Sequence, residues 1–143
     1  MNKTTFIQSN SLTQLEIPLY MTCIKAGFPS PADDYIDQSI DLNRYLIPNP
    51  SSTFMIKVSG DSMIDSSINT GDLLVVDKSL KPKNRDIIVA CINGEFTVKH
   101  YEVINGIFFL IPSNKKYSSV QIKEGMEFEC WGVVTAVIHT TNK

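Results

Sequence analysis

One serine and one lysine stand where they could form the reactive pair of a hydrolase. Ser62 follows Gly60-Asp61, just past an apolar run typical of a strand, and Lys99 lies inside the β-like run at 95–103. A serine at a strand end can expose its hydroxyl while amides of the same turn face a developing oxyanion. A lysine screened from water loses its proton more readily and can then deprotonate a serine. One interpretation of the pair is therefore a Ser-Lys dyad, which needs no histidine.

Both residues also have a purely structural interpretation. Serine often caps turns, and a lysine in a strand is commonly one that faces solvent. Strand alternation places Phe96 and Val98 on the face opposite Lys99, which predicts that these two apolar side chains face the core. A solvated Lys99 and a Lys99 withdrawn into a cleft both remain open on the residues alone.

The other reactive side chains do not indicate a metal or cofactor site. His100 and His139 stand apart, and Cys23, Cys91 and Cys130 are widely spaced with no CxxC pair. Structural zinc sites need clustered ligands, and a disulfide framework usually has an even number of cysteines. We therefore expect no metal, no cofactor and a reducing, cytoplasmic environment.

Length and charge restrict the function further. The chain has 143 residues, enough for one domain with a core, and a formal net charge of -2. This balance lacks the basic surface of proteins that grip nucleic acid by its phosphates, so we expect no direct nucleic acid binding. No apolar run approaches the ~20 residues of a membrane span, and the first residues lack the apolar core of a signal peptide, so we expect no membrane association.

From Thr53 onward the sequence predicts a mostly β fold. Asn93-Gly94 and Asn105-Gly106 join apolar runs, which is a strong hairpin signal. We therefore expect a strand near 86–92 to pair with one at 95–103, and that strand to pair with 107–111. Short antiparallel links favour compact curved sheets or a partly closed barrel. The six β-like runs are TFMIKVSG, DLLVVDK, DIIVACIN, GEFTVKHYEV, GIFFLIPS and ECWGVVTAVIHT.

The first fifty residues differ from the rest. They hold five of the seven prolines, which prevent long regular elements. The one predicted helix is Ala32–Tyr45, where acidic residues follow Pro31 and apolar residues recur near helical spacing. Lys25–Pro29 is rich in small residues and flanked by prolines, which is typical of a protease-accessible linker or arm.

Five separated motifs occur in an order that resembles a known family: AGFPSPADDYI, IDLNRYLI, SGDSMID, GDLLVVD and GEFTVKH. The sequence resembles the UmuD-like SOS mutagenesis proteins of the LexA/UmuD family, in the S24 peptidase group, over about residues 25–139. The resemblance implies the fold of the LexA C-terminal domain, which is of the signal-peptidase-like type, with a flexible N-terminal arm.

The resemblance also assigns roles to residues. Ser62 matches the family nucleophile and Lys99 the general base, and the scissile bond falls between Ala26 and Gly27. UmuD-like members often have cysteine where this chain has Ala26, a small difference. The backbone amides of Ser62 and Met63 are the expected oxyanion donors. The implied division is an arm, residues 1–26, removed by self-cleavage, and a peptidase-fold domain, residues 27–143.

The same resemblance implies partners. Members of the family cleave themselves when stimulated by a RecA–single-stranded DNA filament, and the processed UmuD-like form is a regulatory subunit of a UmuC-type Y-family translesion polymerase. A homodimer and a bacterial cytoplasmic location are expected. Three alternatives remain: a non-cleaving β-rich adaptor that has kept the fold, a signal-peptidase-like enzyme acting on other proteins, and cleavage of a dimer partner's arm.

Overall fold

The computed structural model describes residues 14–20 and 36–142, and the chain divides into two compact units, residues 1–48 and 49–143. In the first unit, strand β1 (Glu16–Tyr20) pairs antiparallel with strand β2 (Ile36–Asp41). One turn of helix, α1 (Leu42–Leu46), follows directly. Asp41 caps it by accepting a hydrogen bond from the amide of Asn43 at 3.0 Å.

The prediction of a helix over Ala32–Tyr45 is wrong for most of its described length. Residues 36–41 form β2, and only the last part of the predicted range is helical. The acidic and apolar residues of IDQSID fit either period. Pairing with β1, some twenty residues earlier, decides in favour of the strand, because it satisfies backbone groups that an isolated two-turn helix would leave exposed.

The second unit is built on a seven-stranded antiparallel sheet. Its strands stand in the order β3-β4-β9-β5-β6-β7-β8, so β9 is inserted between β4 and β5. The sheet is open, with β3 and β8 at its edges, and does not close into a barrel. The strands are β3 (Thr53–Lys57), β4 (Leu73–Asp77), β5 (Ile87–Ile92), β6 (Glu95–Ile104), β7 (Ile107–Ile111), β8 (Val120–Gln121) and β9 (Phe128–Ile138).

The mostly β fold and both predicted hairpins are confirmed. β5 pairs with β6 around Asn93-Gly94, and β6 pairs with β7 around Asn105-Gly106. Asn93 and Asn105 both adopt positive φ, as the glycines after them do, which is the backbone geometry that such Asn-Gly turns require. Each of the six β-like runs contains a strand; β1, β2 and β8 were not predicted.

Two apolar clusters pack against the sheet, and β5 contributes to both. Val89 belongs to a first cluster, whereas its neighbours Ile88 and Ala90 belong to a second. Alternating residues of a strand point to opposite faces, so β5 is covered on both sides, which explains its continuous apolar sequence. The buried members of the first cluster are Met63, Ile68, Leu74, Val76 and Val89, and those of the second are Ile88, Ala90, Leu110 and Val133.

Close packing in the centre of the sheet requires Gly132. A Cβ atom at this position would lie 2.8 Å from Val76 Cγ1 and 2.9 Å from the carbonyl oxygen of Asp77. The register of β9 shifts on both sides, against β4 and against β5, near this residue. Such bulges bend a strand and increase its twist.

A buried carboxylate anchors the end of β4. Asp77 is 3% exposed and accepts hydrogen bonds from Asn49 Nδ2 at 2.8 Å, Ser52 Oγ at 2.9 Å and both the amide and hydroxyl of Ser79. Burial opposes ionisation of this group, but the hydrogen bonds from Asn49, Ser79 and Ser52 outweigh it and lower the pKa of Asp77 to about 2. The anchor therefore carries a charge at neutral pH. In the part of the chain that the structure describes, no helix has the length and apolar character needed to span a membrane.

Candidate active site

The turn that carries Ser62 is held rigidly at both ends. Gly60 has φ +100, a conformation that favours glycine, and the hydroxyl of Thr70 binds both its amide and its carbonyl, at 3.1 and 3.0 Å. On the other side of Ser62, the side chain of Met63 is 3% exposed and packs in the first apolar cluster. The serine between them is left half-buried at the surface of that cluster.

Lys99 lies where β6 loses one of its neighbours. β5 pairs with β6 from Glu95 to His100, whereas β7 pairs only with residues 100–104. Along residues 95–99, β6 therefore has no β7 partner on its other side. The lysine side chain uses this gap: its Nζ lies 2.9 Å from Ser62 Oγ, 2.7 Å from Thr97 Oγ1 and 3.1 Å from the carbonyl oxygen of Val98.

The surroundings of Lys99 favour its neutral form. The side chain is half-buried, and burial lowers the pKa of its ammonium group below the ordinary value. Its three polar contacts are all with uncharged oxygens. Within residues 14–20 and 36–142, no carboxylate lies within ion-pair distance of Lys99 Nζ, so no described carboxylate compensates the lysine charge. Such an arrangement is suited to an amine that takes up a proton from a hydroxyl.

Ser62 and Lys99 both line a cleft with a volume of about 450 Å³. A second depression, of about 370 Å³, shares Phe96, Thr97 and Lys99 with the first. Lys99 therefore contributes to the lining of both. The apolar residues that line the first cleft are Ile56, Val58, Met63, Ile68, Val89, Phe96 and Val98.

The sequence did not reveal the loop that binds the turn carrying Ser62. Asn114 Nδ2 donates to the carbonyl oxygen of Asp61 at 2.8 Å, and Tyr117 Oη donates to the Asp61 carboxylate at 2.5 Å. The amide of Asp65 donates to the carbonyl of Ser113 at 2.8 Å. Partners more than forty residues apart in the chain leave no local signal, so only the folded structure shows that residues 113–117 fasten both sides of Ser62.

The prediction that Phe96 and Val98 face the core is half correct. Val98 packs against the first cluster, but Phe96 is 60% exposed and lies at the cleft, its ring centroid 5.0 Å from that of Trp131. Phe96 belongs to the stretch of β6 that pairs with β5 and not with β7. Ala26 and Gly27, the predicted cleavage site, lie outside the described residues.

The chain is similar to known proteins over most of its length. The family model described as Peptidase S24-like matches residues 18–135. Protein SamA of Salmonella typhimurium is 44% identical over 128 residues, which cover 90% of this chain and 89% of that protein. Protein MucA of Escherichia coli is 46% identical, covering 83% and 82%. The LexA repressor of Carboxydothermus hydrogenoformans is 36% identical over 76% of this chain but only 53% of its own length.

Proposed function

Because the chain belongs to the S24 peptidase family, as a UmuD-like SOS mutagenesis protein, we propose that it is a serine protease that cuts its own Ala26–Gly27 bond. Ser62 is the nucleophile and Lys99 the general base. The observation that carries the proposal is the 2.9 Å separation of Lys99 Nζ and Ser62 Oγ in a cleft where no described carboxylate pairs with the lysine.

Acylation begins with a proton transfer. The neutral amine of Lys99 accepts the hydroxyl proton of Ser62 as the oxygen attacks the carbonyl carbon of Ala26, forming a tetrahedral oxyanion. The lysine, now an ammonium, donates that proton to the amine of Gly27 as the peptide bond breaks. The products of this half-reaction are an ester between Ser62 and Ala26, a free N-terminal amine at Gly27 and a lysine that is neutral again.

The oxyanion donors are the backbone amides of Ser62 and Met63. Among the described residues, neither amide donates to another protein group, so both are available to a substrate oxygen. Deacylation repeats the chemistry with water: Lys99 takes a proton from the water that attacks the ester and returns it to Ser62 as the ester breaks. Because the scissile bond is tethered to its own protease, a high effective concentration lets modest chemistry suffice.

The biological role follows from the family rather than from the cleft. We propose that a RecA–single-stranded DNA filament stimulates cleavage by favouring an arm docked in the cleft, which is a shift between existing conformations. The processed form, residues 27–143, then serves as the regulatory subunit of a UmuC-type translesion polymerase. The protein acts as a homodimer in the bacterial cytoplasm.

The alternative is a non-cleaving adaptor that keeps the fold for binding alone. An adaptor needs no cleft around Ser62 and no half-buried lysine, and burying an unpaired ammonium costs stability. The withdrawn position of Lys99 is therefore easier to explain in an enzyme. The adaptor interpretation predicts that replacing the dyad leaves every measurable property except stability unchanged.

The test is intact-mass spectrometry of the purified chain over time, at neutral and at mildly alkaline pH. We expect loss of residues 1–26, faster at the higher pH, and no loss in Ser62→Ala or Lys99→Ala. Ser118→Ala and Lys81→Ala, which alter exposed residues of the same types, are the matched controls and should cleave at the wild-type rate.

Three outcomes decide between the proposals. Cleavage at Ala26–Gly27 that requires both dyad residues supports the Ser-Lys protease. Cleavage that persists in both dyad variants indicates a contaminating protease acting on an accessible linker. An intact chain at every pH, even with activated RecA filament present, overturns the proposed activity and favours the adaptor.

A further inference from the structure

Three polar side chains outside the dyad meet beside the nucleophile turn: Ser66, His100 and Ser113, here called the Ser-His-Ser cluster. His100 Nε2 lies 2.9 Å from Ser66 Oγ and 2.8 Å from Ser113 Oγ, and the two hydroxyl oxygens are 2.5 Å apart. All three residues are partly buried. The dyad chemistry described above uses none of them.

The cluster joins the two segments that must supply the dyad. Ser66 ends the short 3-10 turn Ile64–Ser66 that follows the nucleophile, and His100 is the residue after Lys99 in β6. Adjacent residues of one strand therefore hold both ends of the segment 62–66, Lys99 at Ser62 and His100 at Ser66. Ser113 adds a third tie, because its carbonyl accepts from the amide of Asp65.

Apolar packing holds Met63 and Ile68, but the residues between them need other contacts. Met63 is buried, but Ile64 is 46% exposed, and Asp65 and Ser67 are also exposed. Ser67 adopts φ +60, a left-handed conformation that is uncommon for serine. A short 3-10 turn that ends in this conformation keeps its shape only when its surroundings fix it.

The hydrogen bonds define which nitrogen of His100 faces the serines. Nδ1 lies 2.9 Å from the carbonyl oxygen of Arg85, which can only accept, so Nδ1 carries a proton. In this tautomer Nε2 is an acceptor, and the hydroxyl of Ser66 or Ser113 donates a hydrogen bond to it. The imidazole thus bridges the loop before β5 and the turn after Ser62, and each nitrogen has a separate role.

We propose that Ser66 and His100 are positioning residues for the reaction of Ser62, acting through the bond between Nε2 and the Ser66 hydroxyl. The proposal rests on the self-cleavage proposed above. Proton transfer needs the hydroxyl within hydrogen-bond reach of the lysine, and a displacement of about 1 Å can cost on the order of 100-fold in rate. Holding Ser66 against β6 limits the movement of Ser62 relative to Lys99.

Two matched substitutions separate this role from a general contribution to stability. In His100→Gln the amide group ends near the position of Nε2 and can still bind Ser66, but the contact with Arg85 is lost. In His100→Asn the amide sits near the position of Nδ1, so it keeps the Arg85 contact and loses both serines. Ser66→Ala removes the same bond from the other partner.

The experiment measures the self-cleavage rate constant of these variants by intact mass, with hydrogen exchange of the segment 62–67 in parallel. We expect His100→Asn and Ser66→Ala to cleave about tenfold more slowly and to exchange faster in this segment, while His100→Gln cleaves within about threefold of wild type. Exposed Ser118→Ala is the control for the serine change.

Equal rates in the Asn and Gln variants, or a wild-type rate in Ser66→Ala, overturn the positioning role while leaving the self-protease intact. An Asn variant faster than the Gln variant also overturns it, because the contact with Arg85 would then be the important one. A wild-type chain that never cleaves overturns the proposed function, and this role with it, so the two failures are distinguishable.

Discussion

The end of β4 and the middle of β6 each withdraw one ionisable side chain from water, and they treat it in opposite ways. Asp77 is surrounded by donors, so its negative charge is stabilised and its pKa falls to about 2 despite burial. Lys99 is surrounded by uncharged oxygens, and burial lowers its pKa because nothing described around it compensates the positive charge. Hydrogen bonds keep the Asp77 carboxylate charged, whereas burial makes the Lys99 ammonium easier to deprotonate.

The two groups therefore link stability to pH in different ranges. The pKa of Asp77 is lower in the folded chain than its ordinary value of 3.8, so its stabilisation is present above that value and is lost as the pH falls towards about 2. The pKa of Lys99 is also lowered, but a lowered pKa of a base means that its charged form destabilises the folded chain. This destabilisation is complete below the folded pKa and disappears as the pH rises towards the ordinary value of 10.5.

The sharpest contrast comes from removing the lysine. Lys99→Met should lower the self-cleavage rate about 10³-fold, since general-base catalysis contributes about 10²- to 10⁴-fold. The same variant should unfold at higher urea concentration at neutral pH, because a buried charge has been replaced by an apolar side chain of similar length. Rate and stability are measured by intact mass and by urea titration.

Lys99→Arg is the companion variant. A guanidinium cannot lose its proton in a protein, so it should be as inactive as the Met variant without gaining stability. Substantial cleavage in Lys99→Arg would show that a neutral amine is not required and would remove the basis of the comparison.

The second largest effect is expected at Asp77. Asp77→Ala leaves the donors of Asn49, Ser52 and Ser79 without an acceptor, and bonds to charged groups contribute about 1.5–3 kcal/mol each. Because partners relax towards water, we expect a loss of about 3 kcal/mol in the free energy of unfolding. Glu124→Ala, at an exposed carboxylate, is the control. A loss below about 1 kcal/mol would mean that Asp77 is not an anchor.

The sequence could predict features that depend on neighbouring residues, but not contacts between distant ones. The six predicted strands follow from local signals, namely apolar runs and the Asn-Gly turns at 93–94 and 105–106, and all six were confirmed, whereas β1, β2 and β8 were not predicted. The residues 36–41 carry an ambiguous pattern, and pairing with β1 decided it against the predicted helix. The motif resemblance named Ser62 and Lys99, but no local pattern reveals that they meet.

Their contact depends on features that are distant in the chain. Residues 113–117 bind the turn that carries Ser62, and Lys99 lies just before the residues of β6 that pair with β7. Phe96 is exposed although it alternates with the packed Val98, since alternation predicts a face but cannot show what covers it. The sequence therefore predicted the six main strands but not the distant contacts that surround Ser62 and Lys99.

The pH dependence of cleavage should report the ionisation of Lys99 and not that of Asp77. Below the pKa of Lys99 the neutral fraction rises about tenfold per pH unit, so the cleavage rate should rise with that slope and level off above the pKa. Initial rates by intact mass across neutral to alkaline pH give the profile. Asp77→Asn should leave its midpoint unchanged, because the carboxylate titrates far below this range. A shifted midpoint in Asp77→Asn would show that Asp77 and Lys99 are coupled and would contradict their separation.

The smallest expected effect concerns the hydroxyl that contacts the lysine. Thr97 Oγ1 lies 2.7 Å from Lys99 Nζ, and a hydroxyl stabilises an ammonium more than a neutral amine. Thr97→Val keeps the β-branched shape but removes this acceptor. The charge of Lys99 then has one hydrogen-bond partner fewer, whereas that of Asp77 keeps all of its partners. The ammonium is then disfavoured by about 0.5–1 kcal/mol, so cleavage below the midpoint should be about two- to fivefold faster and the midpoint should move to lower pH. Thr97→Ser retains the hydroxyl and should keep the wild-type profile; a slower Thr97→Val with an unmoved midpoint would show that Thr97 orients the amine instead of setting its charge.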